Sequence, residues 1–240
     1  MKKVLRIGCI IADNDEYAPM RDIIKKYNPC RRDVLKREGH VFSLKNEDRE
    51  INIHSVLCGV GKVNATAVAA YLAQEGCDMI FNFGLSGGIS GIKRGELTVG
   101  TEYIEHDFDL TLLGYAVCEK PLQNYVYKSD STLLDIITEI YPEIKKGVIV
   151  SGDCFISNEE KKTFLKETFN AMSCDMESAA IAYVCERAEI PFVAIRKISD
   201  DAGDDAKNSY TEMNNKRETV LTQVFISLVQ RLFEQNILWK

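Results

Sequence analysis

The thirty residues from Ala171 to Asp200, AMSCDMESAAIAYVCERAEIPFVAIRKISD, constrain the fold more than any other stretch. A short apolar segment ends at Cys174 and Asp175. A helical run from Met176 to about Ala188 follows, and then the β-rich PFVAIRKIS runs into Asp200. This is a strand–helix–strand unit, and such units build parallel sheets with helices packed on their faces. It places Glu177 and Asp200 at the carboxyl ends of two neighbouring strands, the edge where open α/β sheets bind ligands. A purely structural reading is also open: Glu177 as a helix-start carboxylate favoured by the macrodipole, Asp200 as a loop cap.

The rest of the chain repeats the pattern. Val4 to Ala12 is a near-continuous apolar run, expected to be a buried parallel strand. It ends in Asp13-Asn14-Asp15-Glu16, suited to opening a helix, with Pro19 in its first turns and Asn28-Pro29 as its stop. Strands are expected at 41–44 and 51–58. Gly59-Val60-Gly61-Lys62 then opens an Ala-rich helix to about Gln74. This is not a Walker loop: the first glycine of that pattern would fall on Val56, and Val63 stands where Ser or Thr is needed. The glycines instead allow a tight turn and a close approach to a ligand or neighbouring strand.

Met79 to Phe83 reads as a buried strand entering a glycine-rich turn, Gly84-Leu85-Ser86-Gly87-Gly88. Gly147 to Ser151 reads as another, ending in the turn Gly152 to Ile156. Between them come a strand over 95–105, the loop His106 to Tyr115, and a helix over 131–140 capped by Asp130 or Ser131. Asn158 caps a charged helix. The C-terminal part reads as an acidic loop, 200–208, and one long helix to about Gln235, with an apolar stripe from Val220 to Leu232. No linker, repeat or composition break appears. The expected class is therefore α/β: a single three-layer α/β/α domain over 1–240, with a mixed, mostly parallel central sheet flanked by helices.

Composition excludes several functions. The chain carries 30 basic and 36 acidic residues, a net charge of -6, which argues against nucleic-acid binding. No apolar run approaches a membrane span, and the N-terminal apolar core is interrupted by Arg6 and followed by acids, unlike a signal peptide. Eight cysteines lack any C-x-x-C pair and three histidines lack metal-ligand spacing. A reduced, cytoplasmic setting is expected, with no metal.

The strand ends bring together several carboxylates, two glycine-bearing turns and the aromatic Phe155, with no basic cluster. That mixture suits a neutral ligand with hydroxyls and a flat ring, such as a nucleoside. The sequence resembles the nucleoside phosphorylase/nucleosidase superfamily, and within it the 5′-methylthioadenosine/S-adenosylhomocysteine nucleosidases. The motifs are G-V-G-K-V-N-A from Gly59, H-D-x-D-x-T-x-x-G-Y from His106, V-S-G-D-x-F-I from Val150, D-M-E-S-A-A-I-A from Asp175 and R-x-I-S-D from Arg196. They occur in the family's order and cover nearly the whole chain.

The resemblance implies hydrolysis of the N-glycosidic bond of 5′-methylthioadenosine and S-adenosylhomocysteine, and of 5′-deoxyadenosine as a further candidate, without a cofactor. By position, Asp200 would protonate the adenine, Glu16 would activate water with Arg196 beside it, and Glu177 would hold the ribose hydroxyls. Met176 would pack on the sugar, Phe155 would stack on the base, and the Ile156 backbone would bond its edge. Val60 and Ser86 would contribute to the substrate site, and Tyr210 would line the substrate tail. The resemblance also implies a homodimer in which Leu110, Leu113 and Tyr115 of the 106–115 loop complete the partner's pocket. Leu85 replaces a serine usual in the family, Leu113 replaces an aromatic, and Lys197 is unusual. A phosphate-dependent phosphorylase, a nucleosidase for another nucleoside and a nucleoside-binding sensor without turnover are the alternatives. The acidic first loop weighs against the first of these, because it repels phosphate.

Overall fold

The computed structural model describes residues 3–216 and 219–234. In chain order, the strands are β1 (Lys3–Ile11), β2 (Cys30–Arg31), β3 (Gly39–Lys45), β4 (Arg49–Leu57), β5 (Met79–Gly88), β6 (Leu97–Glu105), β7 (Val126–Lys128), β8 (Lys145–Ser151), β9 (Ala171–Asp175) and β10 (Phe192–Asp200). The α-helices are α1 (Asn14–Ile24), α2 (Lys62–Gln74), α3 (Ser131–Ile140), α4 (Glu159–Phe169), α5 (Ser178–Arg187), α6 (Ala206–Asn215) and α7 (Val220–Glu234). The α/β class read from the sequence is borne out. None of the described helices is long and apolar enough to cross a membrane.

The strands form one sheet in the order β10-β6-β8-β9-β5-β1-β4-β3-β2, with β7 on β6. β10 also pairs with β5, so β5, β10, β6, β8 and β9 close into a ring. The long ladders β1–β4, β10–β5 and β6–β8 are parallel. Both faces of the sheet are covered where it carries the site: all nine residues of β10 are buried, Arg196, Lys197, Ser199 and Asp200 among them. One face packs against α1, α3 and α7 through residues such as Met20, Ile136, Phe225 and Leu228. The other packs against α2 and α5 through Ala65, Val68, Ile181 and Ala182. The apolar stripe of α7 is thus used as its spacing predicts.

The caps fall where polar side chains can accept the first free N–H groups. Asp130 accepts from the Leu133 N–H and Asn158 from the Lys161 N–H.

Three local expectations need correction. Glu177 and Asp200 do not follow neighbouring strands: β9 and β10 each pair with β5, which lies between them. Gly84 to Gly88 is not a turn but the end of β5, where Gly87 pairs with both Cys174 and Asp200. The residues after Asp200 form a short loop and a separate helix, α6, before α7, while Gln235 lies outside the described residues.

Candidate active site

The ring of strands gathers the ends of β1, β5, β9 and β10 at one cleft enclosing about 650 Å³ of space, open mouth included. Nine of the residues expected from sequence line it: Glu16, Val60, Ser86, Phe155, Ile156, Met176, Glu177, Asp200 and Tyr210.

Each carboxylate is held by local backbone. Glu16 lies in the first turn of α1, and its Oε1 accepts the Leu85 N–H at 2.7 Å. Glu177 is the N-cap residue of α5, yet its side chain does not cap that helix. Instead its Oε1 accepts the Gly61 N–H at 2.9 Å. Gly61 has φ +99°, a conformation that favours glycine. Asp200, at the end of β10, accepts from the Ser199 hydroxyl at 2.6 Å and from the Ala202 N–H at 2.9 Å. Ala202 itself has φ +54°, so the chain leaves the site through a strained residue.

All three carboxyls resist ionisation. Glu16 keeps some accessible surface because it faces the cleft, but its carboxylate is enclosed by protein. Desolvation pushes it up to about 8, against the pull of the Leu85 N–H, and the Glu177 charge adds to the rise. Desolvation and then the Asp175 charge push Glu177 up to about 7. Burial raises Asp200 as well, against the pull of Ser199 and Ala202.

Arg196 does not line the cleft but stands behind it, 1 % exposed. Its Nε donates to Asp175 Oδ2 at 2.8 Å, and its Nη2 donates to Ser178 Oγ and to Asn82 Oδ1. Its Nη1 is buried without a protein partner and reaches the space over Gly84, where Glu16 Oε2 also points. Asp175 is the counter-ion that the sequence reading missed as a functional group. Burial alone would raise it, but Arg196, Ser151, Ser178 and the Glu177 N–H outweigh burial and hold it below the usual range. The available signal was Asp175's place two residues before Glu177, which lets its Oδ1 accept the Glu177 N–H at 3.1 Å.

Phe155 and Tyr210 meet edge to face across the mouth, their centroids 5.5 Å apart. The Ser86 hydroxyl donates to the Cys174 carbonyl at 2.7 Å, so its hydrogen is committed to the sheet. Leu110, Leu113 and Tyr115 lie outside this chain's cleft; Leu113 is 72 % and Tyr115 37 % exposed. Asp13, Cys154, Cys174 and Ser199 also line the cleft, none of them picked out as a site residue from the sequence. Among the described residues, no group of histidine, cysteine or acidic side chains is arranged to hold a metal.

A closed sheet with an apolar, aromatic-capped cleft and buried carboxyls at its strand ends is the architecture of a nucleoside-cleaving enzyme. The chain belongs to the phosphorylase superfamily, whose family model matches residues 6–234. It is 35% identical over 236 residues to the 5′-methylthioadenosine/S-adenosylhomocysteine nucleosidase of Halalkalibacterium halodurans, spanning 95% of this chain and 99% of that one. It is 25% identical over 235 residues to the aminodeoxyfutalosine nucleosidase of Campylobacter jejuni, spanning 95% of this chain and all of that one. The structure of the Helicobacter pylori 5′-methylthioadenosine/S-adenosylhomocysteine nucleosidase superposes with a TM-score of 0.86 at 26% identity, over 96% of this chain and 100% of that one. That protein is complexed with a pyrrolidinol joined to a 4-amino-pyrrolopyrimidine and bearing a propynylthiomethyl group. The family resemblance read from the motifs is borne out.

Proposed function

We propose that this chain hydrolyses the N-glycosidic bond of 5′-methylthioadenosine and S-adenosylhomocysteine, releasing adenine and the 5-thio-substituted ribose. The observation that carries the reading is the meeting of Glu16, Glu177 and Asp200, far apart in sequence, around one cleft. Breaking this bond builds positive charge on the sugar and requires the purine to leave as a neutral base. A proton donor at the base and a carboxylate-activated water at the sugar supply those two needs. Asp200, its carboxyl raised by burial, is assigned as the acid. Glu16 is assigned as the base and acts from its ionised fraction, a carboxylate that burial makes more basic and that grows as pH rises towards 8. Glu177 is assigned to the ribose hydroxyls, with Met176 against the sugar. Phe155, Ile156 and Tyr210 hold the adenine and the tail. Arg196 Nη1 is assigned to orient the water beside Glu16.

Water rather than phosphate is the acceptor in this reading, on electrostatic grounds. Arg196 is already neutralised by Asp175. Glu16 and Glu177 are pushed towards neutrality by the same enclosure, so a phosphate dianion would add charge where charge is already disfavoured. The test is adenine release from each nucleoside in phosphate-free buffer. Turnover only after phosphate is added would replace this reading with a phosphorylase. A panel including inosine and aminodeoxyfutalosine addresses a second reading, a nucleosidase of different substrate preference. That reading is favoured by Leu85 and Leu113 and by the Campylobacter relative.

We also propose a homodimer in the cytoplasm. Leu112, Leu113, Val117 and Leu122 stand 99 %, 72 %, 42 % and 107 % exposed, an apolar segment suited to a partner surface. Leu110, Leu113 and Tyr115 would then complete the neighbouring pocket. Leu113→Glu should raise the KM for substrates with long 5′-groups and shift the sedimentation coefficient towards a monomer.

A further inference from the structure

Lys62 does not line the cleft, yet it touches the supports of both halves of it. Its neighbour Gly61 donates its N–H to Glu177, on the ribose side. Its own N–H donates to Asp153 Oδ1 at 2.8 Å. Asp153 opens the turn that carries Phe155 and Ile156, on the base side. The Lys62 ammonium then crosses to β6 and the loop after it, pairing with Asp107 Oδ1 and with Glu105 Oε2 at 3.2 Å. Asp107 closes the circuit, because its Oδ2 accepts the Asp153 N–H at 2.8 Å.

We propose that Lys62 is a positioning residue that ties the ribose subsite to the base subsite through Asp107 and Asp153. The inference rests on the nucleosidase reading above. One side chain and one peptide unit fix the turn that holds Glu177 relative to the turn that carries Phe155. The arrangement is built rather than incidental. Lys62 and Asp107 side chains are only 18% and 26% exposed. Glu105 is shared with Lys120, which lies over the rings of Phe108, Tyr127 and Tyr183, so the anchor is itself anchored. Desolvation pulls the Lys62 ammonium down, but Asp107 and Glu105 outweigh it and keep the charge in place. Gly61 sits so close to Asp153 that a Cβ there would lie 3.0 Å from its carboxylate, so the two turns are in contact without slack.

Removing the ammonium takes away the cation that Asp107 pairs with and leaves Glu105 with Lys120, and both turns lose a shared fixed point. A misplacement of about 1 Å at a reacting pair can cost about a hundredfold in rate. The expected result for Lys62→Met is a double loss. The inhibition constant for free adenine rises about tenfold, and the preference for 5′-methylthioadenosine over its 3′-deoxy analogue shrinks about tenfold. Lys62→Arg, which restores the charge, recovers at least half of each loss on a logarithmic scale. Asp107→Asn reproduces the adenine effect. A merely structural lysine would lower the melting temperature and leave both constants at their wild-type values; that outcome overturns the inference. A wild-type protein that releases no adenine would instead overturn the nucleosidase reading, so the two failures are distinct.

Discussion

Glu16 and Arg196 meet over Gly84. A Cβ built on that glycine would lie 3.1 Å from Glu16 Oε2 and 3.2 Å from Arg196 Nη1. The glycine keeps open the space in which a water molecule would receive both a basic carboxylate and a fixed N–H donor. Gly84→Ala should therefore cut kcat by about tenfold to a hundredfold, since the carboxylate and the guanidinium must move apart by tenths of an ångström to admit the methyl group. The KM should change less than kcat, because the atoms a methyl group at Gly84 would meet are the Glu16 carboxylate and the Arg196 guanidinium. Steady-state kinetics of adenine release check this, and an unchanged kcat would place the attacking water elsewhere.

Asp175 and Arg196 form a buried ion pair, each side chain 1% exposed. Removing one partner strands the other charge in the interior. Asp175→Asn should cost about 3–5 kcal/mol of stability. The double variant Asp175→Asn with Arg196→Met should cost less than the sum of its single changes, because it strands no charge. The single change should also lower the Glu177 pKa, since the Asp175 charge is the second cause of its rise. Urea titrations of the three variants decide the first point. A single variant as stable as wild type would mean that the pair carries no net stabilisation.

Much of this site was legible because chemistry and local structure coincide. Glu16 and Asp200 stand where apolar strands stop, and an apolar run ending in an acid is visible in sequence. The motif order supplied the rest of the grouping. What was not legible was ring closure. Nothing in the apolar runs says that β10 pairs with β5 as well as β6, so Gly84 to Gly88 reads as a turn when it is a strand edge. Without that pairing, Gly87 has no reason to be glycine. With it, a Cβ would press on Cys174 Sγ at 3.0 Å and Asp200 Oδ1 at 3.1 Å. Asp175 was hidden for a different reason: a buried counter-ion is defined by its partner, and Arg196 lies twenty-one residues on.

Leu85 stands where the family commonly has serine. The family's hydroxyl is absent, yet Glu16 is held by the Leu85 backbone N–H, which any residue but proline supplies. Leu85→Ser should leave kcat/KM for 5′-methylthioadenosine within about threefold of wild type. A rise of a hundredfold or more would show that the missing hydroxyl limits the reaction.

Asp200 is held by Ser199 and by the Ala202 N–H. An asparagine fits the same space and still accepts the Ala202 N–H through its carbonyl oxygen, but it has no acidic proton to give. Asp200→Asn should lower kcat by about 100-fold or more, the usual worth of a general acid. Nucleoside affinity should stay within a few-fold. Rapid-quench measurement of adenine release, alongside calorimetric binding of the uncleaved nucleoside, separates the two effects. Near-normal turnover would move the acid to another group.

Keeping Glu16 enclosed carries a cost that depends on pH. Its folded-state pKa is about 8, well above its ordinary value of 4.5. Between those two values the folded protein holds a proton that the unfolded chain has released. Stability from this group is therefore complete below about pH 4.5, declines as pH rises, and is lost once pH passes 8. The ceiling on that loss is about 5 kcal/mol at 1.36 kcal/mol per unit, and water in the cleft reduces it to a few. Glutamine carries no such burden. Glu16→Gln should therefore gain stability relative to wild type as pH rises from 5 to 9, even though its turnover falls about 100-fold or more. Thermal melts of both proteins across that range test the sign. A difference in melting temperature that is flat with pH would mean that Glu16 ionises in the folded protein as readily as it does in water, and the desolvated base assigned to this site would have to be given up.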